Sequence, residues 1–192
     1  LQAGPYVAPA EVVHAPHARV SFVGSGSCAT TIDGPLAVDA GEDITLQHLH
    51  LRGGFSARDV TALHIEDVYM HSLSSAGLEV QSVQRLTMRR VHTSHSTVRV
   101  RDAQTVVVQH CVIENSPGIA FQGLNVLECN FHASSFSNCR GAAVHLTDAR
   151  SVTLQSITAR NCNQTMDTSI VLLSGHERVE LMLLQNVFHL LK

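Results

Sequence analysis

The chain repeats one short pattern of apolar residues, and this repeat limits what it can fold into. Residues 98–108 alternate apolar and polar side chains on either side of Asp102, and residues 144–154 do the same around Asp148. Alternation with a period of two places the apolar side chains on one face of a strand. An aspartate between two such stretches favours a turn, because its carboxylate can accept hydrogen bonds from nearby backbone N–H groups. The pattern predicts two short strands joined by a tight turn.

The repeat continues along most of the chain. A template with apolar residues at i, i+2, i+5 and i+7 fits, with a few exceptions, at starts Ile44, Leu63, Leu86, Val106, Leu124, Val152 and, more weakly, Val179. An apolar pair begins eight residues before most of these starts, at Leu36, Phe55, Leu78, Val98 and Val144. Two pairs depart from this interval, because Ile119 lies five residues before its template and Ile170 lies nine before. Each repeat therefore carries three short strands and three turns, and one loop takes up the extra residues.

Strands that recur about every 20 residues without crossover helices can pair in parallel only by coiling, each strand bonding its equivalent one circuit later. The chain is therefore predicted to be an all-β, single-domain parallel β-helix of about seven to eight coils. Residues 1–34 form an entry coil or N-terminal cap, and residues 35–192 form the coils. A two-sheet antiparallel sandwich is the alternative, but it does not predict three strands per repeat in constant order. The absence of an initiator methionine or signal pattern at Leu1 suggests a piece of a longer chain.

Composition excludes several partners. The net charge is -3 and no Lys/Arg block occurs, which argues against a protein that binds the nucleic-acid backbone. Aromatic residues make up 4% with no Trp, so stacking platforms are scarce. No apolar run approaches the roughly 20 residues that a membrane helix needs. We expect neither a nucleic acid nor a membrane as partner.

The cysteines and asparagines have structural interpretations. Five cysteines form no CxxC pair, so neither a disulfide framework nor a zinc ribbon is favoured. Cys111 and Cys129 occupy the same template position in consecutive repeats, so they should stack inside as small apolar residues. A disulfide between them is the less favoured alternative. A second column is predicted to form a hydrogen-bonded ladder rather than a ligand site, and its members are Asn115, Asn138 and Asn161.

The entry stretch contains Gly4-x-Tyr6, then Val20-Ser-Phe-Val-Gly-Ser-Gly, then Thr31-Ile-Asp-Gly34. Together with the coil pattern, it resembles the opening of many members of the right-handed parallel β-helix, or pectin-lyase-like, superfamily. The resemblance implies a right-handed coil over almost the entire chain and specifies no chemistry. Segments typical of polygalacturonase-like hydrolases, pectate lyases and pectin esterases do not occur here, so the likeness is to a non-catalytic branch.

The acidic residues do not form an evident catalytic pair. A glycosidase needs two carboxylates about 5–10 Å apart on one face. Equivalent turns are expected to contain Asp59, Asp102 and Asp148 as backbone caps, and Glu79 and Arg99 are expected to form a surface ion pair. The remaining catalytic candidates lie at different template positions and are Glu66, Asp67, Glu114 and Glu128. We assign no catalytic or cofactor-binding residue and no cofactor, and we leave enzymatic activity open.

Histidine is unusually frequent, with thirteen residues. Most alternate with core positions and are predicted to point outward, namely His48, His50, His64, His71, His92, His95, His110, His132 and His145. Zinc needs three or four converging ligands. His92 and His95 could share an edge, but no acidic or cysteine partner is evident. We predict no metal site and instead a solvated histidine surface that responds to pH near 6.5.

These observations favour a non-enzymatic scaffold that packs against other protein subunits. The outer face of the first strands is expected to present Ser56, Glu79, Arg99, Ala120, His145 and Val171, a mixed set without aromatics. The apolar C-terminal run of residues 180–192 has no polar cap, so another subunit or further chain should cover it. In these respects the chain loosely resembles trimeric viral β-helix proteins, namely phage tailspikes and adenovirus capsid cementing proteins. The resemblance implies a homo-oligomer, with a trimer favoured, in a virion or outside the cell. The alternative is a carbohydrate-active or glycan-binding protein.

Overall fold

The protein is built from short parallel β-strands. The computed structural model describes residues 1–7, 13–14, 16–26, 29–72, 76–162, 171–174, 180–184 and 187–189. Within these ranges every regular element is a strand. None of the described residues belongs to a helix long and apolar enough to cross a membrane.

The strands follow one another in chain order with short connections. The first eleven are β1 (Gly4–Val7), β2 (Val13–His14), β3 (Arg19–Val23), β4 (Thr30–Asp33), β5 (Leu36–Asp39), β6 (Asp43–Gln47), β7 (His50–Arg52), β8 (Phe55–Glu66), β9 (Tyr69–His71), β10 (Ala76–Arg89) and β11 (His92–Ser94). The remaining ten are β12 (Thr97–Gln109), β13 (Val112–Glu114), β14 (Phe121–His132), β15 (Ser135–Ser137), β16 (Val144–Thr147), β17 (Ser151–Gln155), β18 (Thr158–Arg160), β19 (Val171–Ser174), β20 (Glu180–Leu184) and β21 (Val187–His189).

Each strand pairs in parallel with its equivalent one circuit later. One sheet has nine strands in the order β1-β4-β7-β9-β11-β13-β15-β18-β21. The other has twelve, with β8, β10, β12 and β14 as its long central strands. Each long strand covers the first two predicted strands of a coil and bends between them. In β12 and β14, for example, Val100 pairs with Gly123 before the bend and Val106 pairs with Cys129 after it. The coil prediction is confirmed, and the antiparallel sandwich is excluded for the described residues.

The number of coils differs slightly from the prediction of seven to eight. The structure supports a single β-solenoid of about six turns. These run from β5 to β18 and are described in full apart from residues 73–75. At one end, β1, β2 and β3 pair in parallel with β4, β5 and β6. At the other end, β19, β20 and β21 pair in parallel with β16, β17 and β18. A boundary between an entry coil at 1–34 and the coils at 35–192 stays a prediction.

The chain turns at three corners per coil, and single residues with positive φ make most of these corners. The first corner is formed by Ala40, Asp59, Ser82, Asp102, Asn125 and Asp148, with φ between 52° and 57°. The prediction that Asp59, Asp102 and Asp148 lie in equivalent turns is therefore confirmed. The second corner column is His48, Asp67, Arg90, His110, Ala133 and Ser156. Such a conformation costs a side-chain-bearing residue roughly 1–2 kcal/mol, so the packed strands on either side must hold it.

The third corner contains the predicted asparagine ladder. Nδ2 of Asn138 donates to Oδ1 of Asn115 at 3.2 Å, and Nδ2 of Asn161 donates to Oδ1 of Asn138 at 3.1 Å. All three have φ near 55°. Asparagine tolerates this conformation better than most residues, so the same side chain both permits the corner and links the coils. The ladder prediction is confirmed.

The core is a stack of like positions. One column consists of Leu36, Phe55, Leu78, Val98, Phe121 and Val144, each at most 3% exposed. Phe121 and Phe131 pack edge to face with ring centroids 4.9 Å apart. Burying side chains of this size contributes roughly 1.5–3 kcal/mol each. The inward positions that the period-two alternation predicts therefore form one continuous apolar interior.

The prediction that Cys129 occupies the same template position as Cys111 is wrong. Cys129 pairs with Val106 of the previous coil, whereas the nitrogen of Cys111 is bonded to Oγ of Ser134 in the next coil. Both cysteines are buried, as predicted, but they do not stack on each other. The misplacement arises at Leu124, an apolar residue that fits the template but is 41% exposed.

With the correct pairing, the interval of eight residues also holds in this coil. Phe121 pairs with Val98 and precedes Cys129 by eight residues, so the apparent interval of five from Ile119 disappears. Ala120, predicted on the outer face, is fully buried. Gln122 takes its place, since it pairs with Arg99 and His145.

The last predicted strands are displaced along the chain. Val171 was predicted on the outer face, but Leu172, not Val171, is the register partner of the outer-face residue His145, and Val171 pairs with Val144. Leu181 pairs with Val152, whereas the template was placed at Val179, which lies outside the described residues. The side chains of the C-terminal run 180–192, predicted to be covered by a partner, also lie outside them.

Candidate functional site

The second corner column contains a charged cluster across three consecutive coils, which we call the acid–arginine corner (His48, Glu66, Asp67, Arg89 and Arg90). Nε and one terminal nitrogen of Arg90 donate to the two carboxylate oxygens of Asp67 at 2.5 and 2.8 Å. The same terminal nitrogen donates to Oε1 of Glu66 at 2.6 Å. Two of the four carboxylates considered as catalytic candidates are thus neighbours tied to one guanidinium.

Further contacts complete this corner. Nη1 of Arg89 lies 3.6 Å from Oε1 of Glu66, and Nδ1 of His48 lies 3.5 Å from Oδ2 of Asp67. Nε2 of Gln47 donates to Oε2 of Glu66 at 3.2 Å. The hydrogen bond from Arg90 lowers the pKa of Asp67, and the Asp67 carboxylate in turn raises the pKa of Arg90. A general acid needs a raised carboxyl pKa, so Asp67 is suited to linking coils rather than to donating a proton.

The other two candidate carboxylates lie apart from this corner. Oε1 of Glu114 lies 3.0 Å from Nε2 of His92 in the preceding coil. The sequence interpretation that His92 has no acidic partner is therefore wrong. Glu128 is exposed on a strand where its register partners are Thr105 and Ser151. The four carboxylates occupy three separate places, and only Glu66 and Asp67 are brought together.

Aromatic and imidazole rings stack along the outer face of the nine-stranded sheet. His50, Tyr69 and His92 are consecutive register partners, with ring centroids 4.8 Å apart at each step. His71 and His95 lie beside this column at 5.2 Å from each other. Burial, followed by the charges of Arg52 and His71, lowers the pKa of His50. Parallel pairing in register places residues at equivalent positions of successive coils beside each other. Residues 19 to 23 apart in sequence therefore form one surface.

The predicted orientation of the histidines is confirmed. All nine are partly or fully exposed, namely His48, His50, His64, His71, His92, His95, His110, His132 and His145. Across the described residues, no three side chains from His, Cys, Asp and Glu come together in a way that could hold a metal ion. The histidines instead meet carboxylates of neighbouring coils in pairs, as His64 does with Asp43 at 3.8 Å.

The described residues line grooves on the outer faces, two of which are considered for binding. The larger has a volume of about 380 Å³ and is lined by charged and polar side chains that include Asp39, Arg58, Glu79, Gln81 and Arg101. The smaller, of about 310 Å³, is lined by residues that include His64, Gln84 and Arg85.

Glu79 and Arg99 were predicted to be neighbours on adjacent coils and to form an ion pair, and only the first part is confirmed. The two residues are partners on adjacent strands. No ion pair joins them among the salt bridges of the described residues.

An apolar pair stands out on the first corner column. Leu124 is 41% exposed and Leu127 is 38% exposed, on either side of the corner residue Asn125. Nδ2 of Asn125 donates to Oδ1 of Asp102 in the preceding coil at 2.8 Å, which fixes the corner between the two leucines. Sequence reasoning missed this surface because it placed Leu124 in the core.

The coiled parallel strands, the three-cornered cross-section and the stacked interior define a β-solenoid protein. A family model described as right-handed β-helix region matches residues 38–187, well over half of the chain. The protein belongs to this family, which confirms the predicted resemblance to the right-handed parallel β-helix superfamily. No curated protein and no solved structure was found to match the chain.

Proposed function

We propose that the protein is a non-enzymatic scaffold that packs against other copies of itself through the outer surface of its β-helix. The observation that carries this proposal is the exposed pair Leu124 and Leu127. Most of the apolar side chains in the complete coils are buried, whereas these two are exposed on either side of one corner.

The other coils show that this pair is exceptional. At the position of Leu124 the neighbouring coils have Asp39, Arg58, Gln81, Arg101 and Thr147. At the position of Leu127 they have Glu42, Thr61, Gln84, Gln104 and Arg150. Ten equivalent positions are therefore polar, and one coil has leucine at both. An apolar centre with a polar rim is the usual composition of a protein interface.

A second copy of the chain is the partner that this geometry favours. Most soluble oligomers are closed homo-oligomers, in which one patch is used by every subunit. We favour a trimer because the coil pattern is loosely similar to that of trimeric viral β-helix proteins, and on the same likeness we propose a location in a virion or outside the cell. The apolar sequence of residues 180–192 supports a further contact at that end.

Sedimentation equilibrium at micromolar concentration tests the proposal. We expect the wild-type chain to associate and the double variant Leu124→Gln/Leu127→Gln to be monomeric. Glutamine occupies both positions in neighbouring coils, at Gln81 and Gln104, so the variant should fold. The control Gln81→Ala/Gln104→Ala should associate as wild type does. A monomeric wild-type chain, or an oligomer that the leucine variant leaves intact, would contradict the proposal.

Glycan binding is the second candidate, supported by the larger groove. Its Asp39, Arg58, Glu79 and Arg101 side chains are suited to hydrogen bonding with hydroxyl and carboxylate groups. Calorimetric titration with neutral and acidic oligosaccharides tests it. Binding that Arg101→Ala weakens and Arg85→Ala in the smaller groove does not would favour this candidate over the scaffold. No heat of binding with either class would end it.

A further inference from the structure

Cys139 and Cys162 occupy the same position in two successive coils. Ser137 and Arg160 are register partners at the ends of β15 and β18. Cys139 lies two residues after Ser137, and Cys162 lies two residues after Arg160. The backbone nitrogen of Asn138 donates to the carbonyl of Arg160 at 3.0 Å, and Asn161 donates to Asn138 through the ladder. Two hydrogen bonds therefore join the short segments that lead into the two cysteines.

The two thiols face each other inside the coil. Cys139 is 0% exposed and Cys162 is 1% exposed, and both are free thiols. Sγ of Cys139 donates to the carbonyl of Ser137 at 3.4 Å, and Sγ of Cys162 donates to the carbonyl of Arg160 at 3.5 Å. The interaction between the two thiols lowers the pKa of Cys162 and, together with burial, raises the pKa of Cys139. Cys162 is therefore the thiol that loses its proton first, and a thiolate is the nucleophilic form.

The other described cysteines have no such neighbour. Cys129 lies between Val106 and Val152 in the adjacent coils. Cys111 meets Ser134 in the following coil. Among the described residues, the pair of Cys139 and Cys162 is thus the one place where two thiols are stacked.

The spacing of the coils is compatible with a covalent bond. Equivalent residues on neighbouring strands lie about 4.8 Å apart, and the Cα atoms of a disulfide lie about 4.4–6.8 Å apart. The cysteines follow a corner rather than lying within a strand, so their Cβ atoms are not constrained by a strand's pleat. We propose that Cys139 and Cys162 are a peroxide-sensitive pair that forms a disulfide between two successive coils.

The reaction has two steps. The Cys162 thiolate attacks one oxygen of hydrogen peroxide, the O–O bond breaks, and Cys162 becomes a sulfenic acid while the departing hydroxide takes up a proton to form water. The sulfur of Cys139 then attacks the sulfur of Cys162, the S–O bond breaks, and the departing hydroxide takes the proton of Cys139 as a second water. Two thiols and one peroxide thus yield one disulfide and two waters. Both thiols are buried, so peroxide, which is close to water in size, reaches them when the coil opens locally.

This modification is independent of the proposed self-association. A bond between residues 139 and 162 closes one complete coil on itself. It would oppose unwinding of the coil that contains β16, β17 and β18.

Treatment of the native protein with hydrogen peroxide in the presence of dimedone tests the proposal. We expect the wild-type chain to lose two thiols, to lose the mass of two hydrogen atoms, and to form no dimedone adduct, because Cys139 resolves the sulfenic acid. In Cys139→Ser the sulfenic acid has no resolving thiol, so dimedone should label Cys162. Serine occupies the equivalent position in the preceding coil at Ser116, so this variant should fold.

Two further measurements keep the result unambiguous. Cys129→Val, which copies Val106 and Val152 in the neighbouring coils, should still lose two thiols. After digestion with trypsin, the peptide ending at Arg140 should be linked to the peptide beginning at Asn161, with the bond located at Cys139 by fragmentation. Retention of all thiols, a bond to another cysteine, or a Cys139→Ser chain that still forms a disulfide would overturn the proposal.

Discussion

Gly53 lies directly over Gly34 of the preceding coil, so close that a Cβ atom on Gly53 would lie 2.5 Å from the carbonyl carbon of Gly34. Gly53 also has φ of 130°, which side-chain-bearing residues rarely adopt. The nitrogen of Gly34 donates to the carbonyl of Arg52 at 2.6 Å, and that of Gly53 donates to His71 at 3.2 Å. Two glycines thus let three coils approach at the third corner before the asparagine ladder begins.

Gly53→Ala should destabilise the protein by roughly 2 kcal/mol, because the added methyl group meets backbone atoms and φ is strained. Urea unfolding followed by circular dichroism measures the change. Gly118→Ala is the matched control, since a Cβ there meets nothing within 4 Å, and it should change stability by less than about 0.5 kcal/mol. Equal effects at the two sites would contradict the close packing at Gly53.

Asn138 combines two stabilising roles that two substitutions can separate. Asn138→Gly keeps a residue that tolerates φ of 54° but loses both ladder bonds, and we expect a loss of about 1 kcal/mol. Asn138→Ala loses the same bonds and also strains the corner, which should cost about 1 kcal/mol more. Urea midpoints of the two variants give the comparison. An alanine variant as stable as the glycine variant would show that the corner does not select its residue.

The pair of Asp67 and Arg90 should make stability depend on acid pH. The folded-state pKa of Asp67 is lowered by the hydrogen bond from Arg90. Its contribution is therefore present above the ordinary carboxyl pKa near 4 and is lost as the pH falls through the lowered value. Because the pair is partly exposed, we expect only a small advantage over Asp67→Asn at pH 6, and this advantage should shrink as the pH falls below about 4.

Urea unfolding of the wild-type chain and of Asp67→Asn at several pH values gives this difference. Arg90→Gln should show the same pH dependence as Asp67→Asn, since it removes the other partner. Arg89→Gln should change the pH dependence much less, because the Arg89 side chain is paired with Glu66 at 3.6 Å and its charge is the weakest of the influences that lower the pKa of Asp67. A constant difference between wild type and Asp67→Asn from pH 6 to pH 2 would rule out the linkage.

The buried thiols should resist alkylation in the folded protein. Burial raises the pKa of Cys111 to about 11 and raises that of Cys129 as well. A pKa two units above the usual value lowers the thiolate fraction at pH 8 about a hundredfold. Labelling of both residues by iodoacetamide at pH 8 should therefore be at least about a hundredfold slower than in urea. Mass spectrometry of the labelled peptides gives the two rates, and equal rates with and without urea would contradict the buried positions.

Much of the fold could be predicted because residues that contact each other in a solenoid recur at a nearly constant interval in the sequence. Val98 and Val144 were identified as inward positions from alternation alone, and the structure buries both. The ladder of Asn115, Asn138 and Asn161 followed from their place after each repeat. Where the period weakened, the prediction failed: Leu124 looked like a core residue because apolarity alone does not say which face of a strand meets solvent.

The surface was harder to predict than the interior. The contact of His92 with Glu114 and the cluster around Arg90 each join coils whose lengths differ. An error of one residue in register moves a side chain to the opposite face of a strand. Alternation constrains inward positions strongly, whereas outward positions carry many residue types and leave no periodic signal.

The sequence by itself determined that this chain winds into parallel coils, because apolar residues at a constant interval can be buried together only in that way. Tertiary structure alone decided which outward side chains meet, because those contacts depend on the exact register between coils and on loops of unequal length. Buried apolar positions repeat from coil to coil, so the sequence predicts them. Hydrogen bonds and ion pairs between coils depend on individual neighbours, so the sequence alone does not predict them.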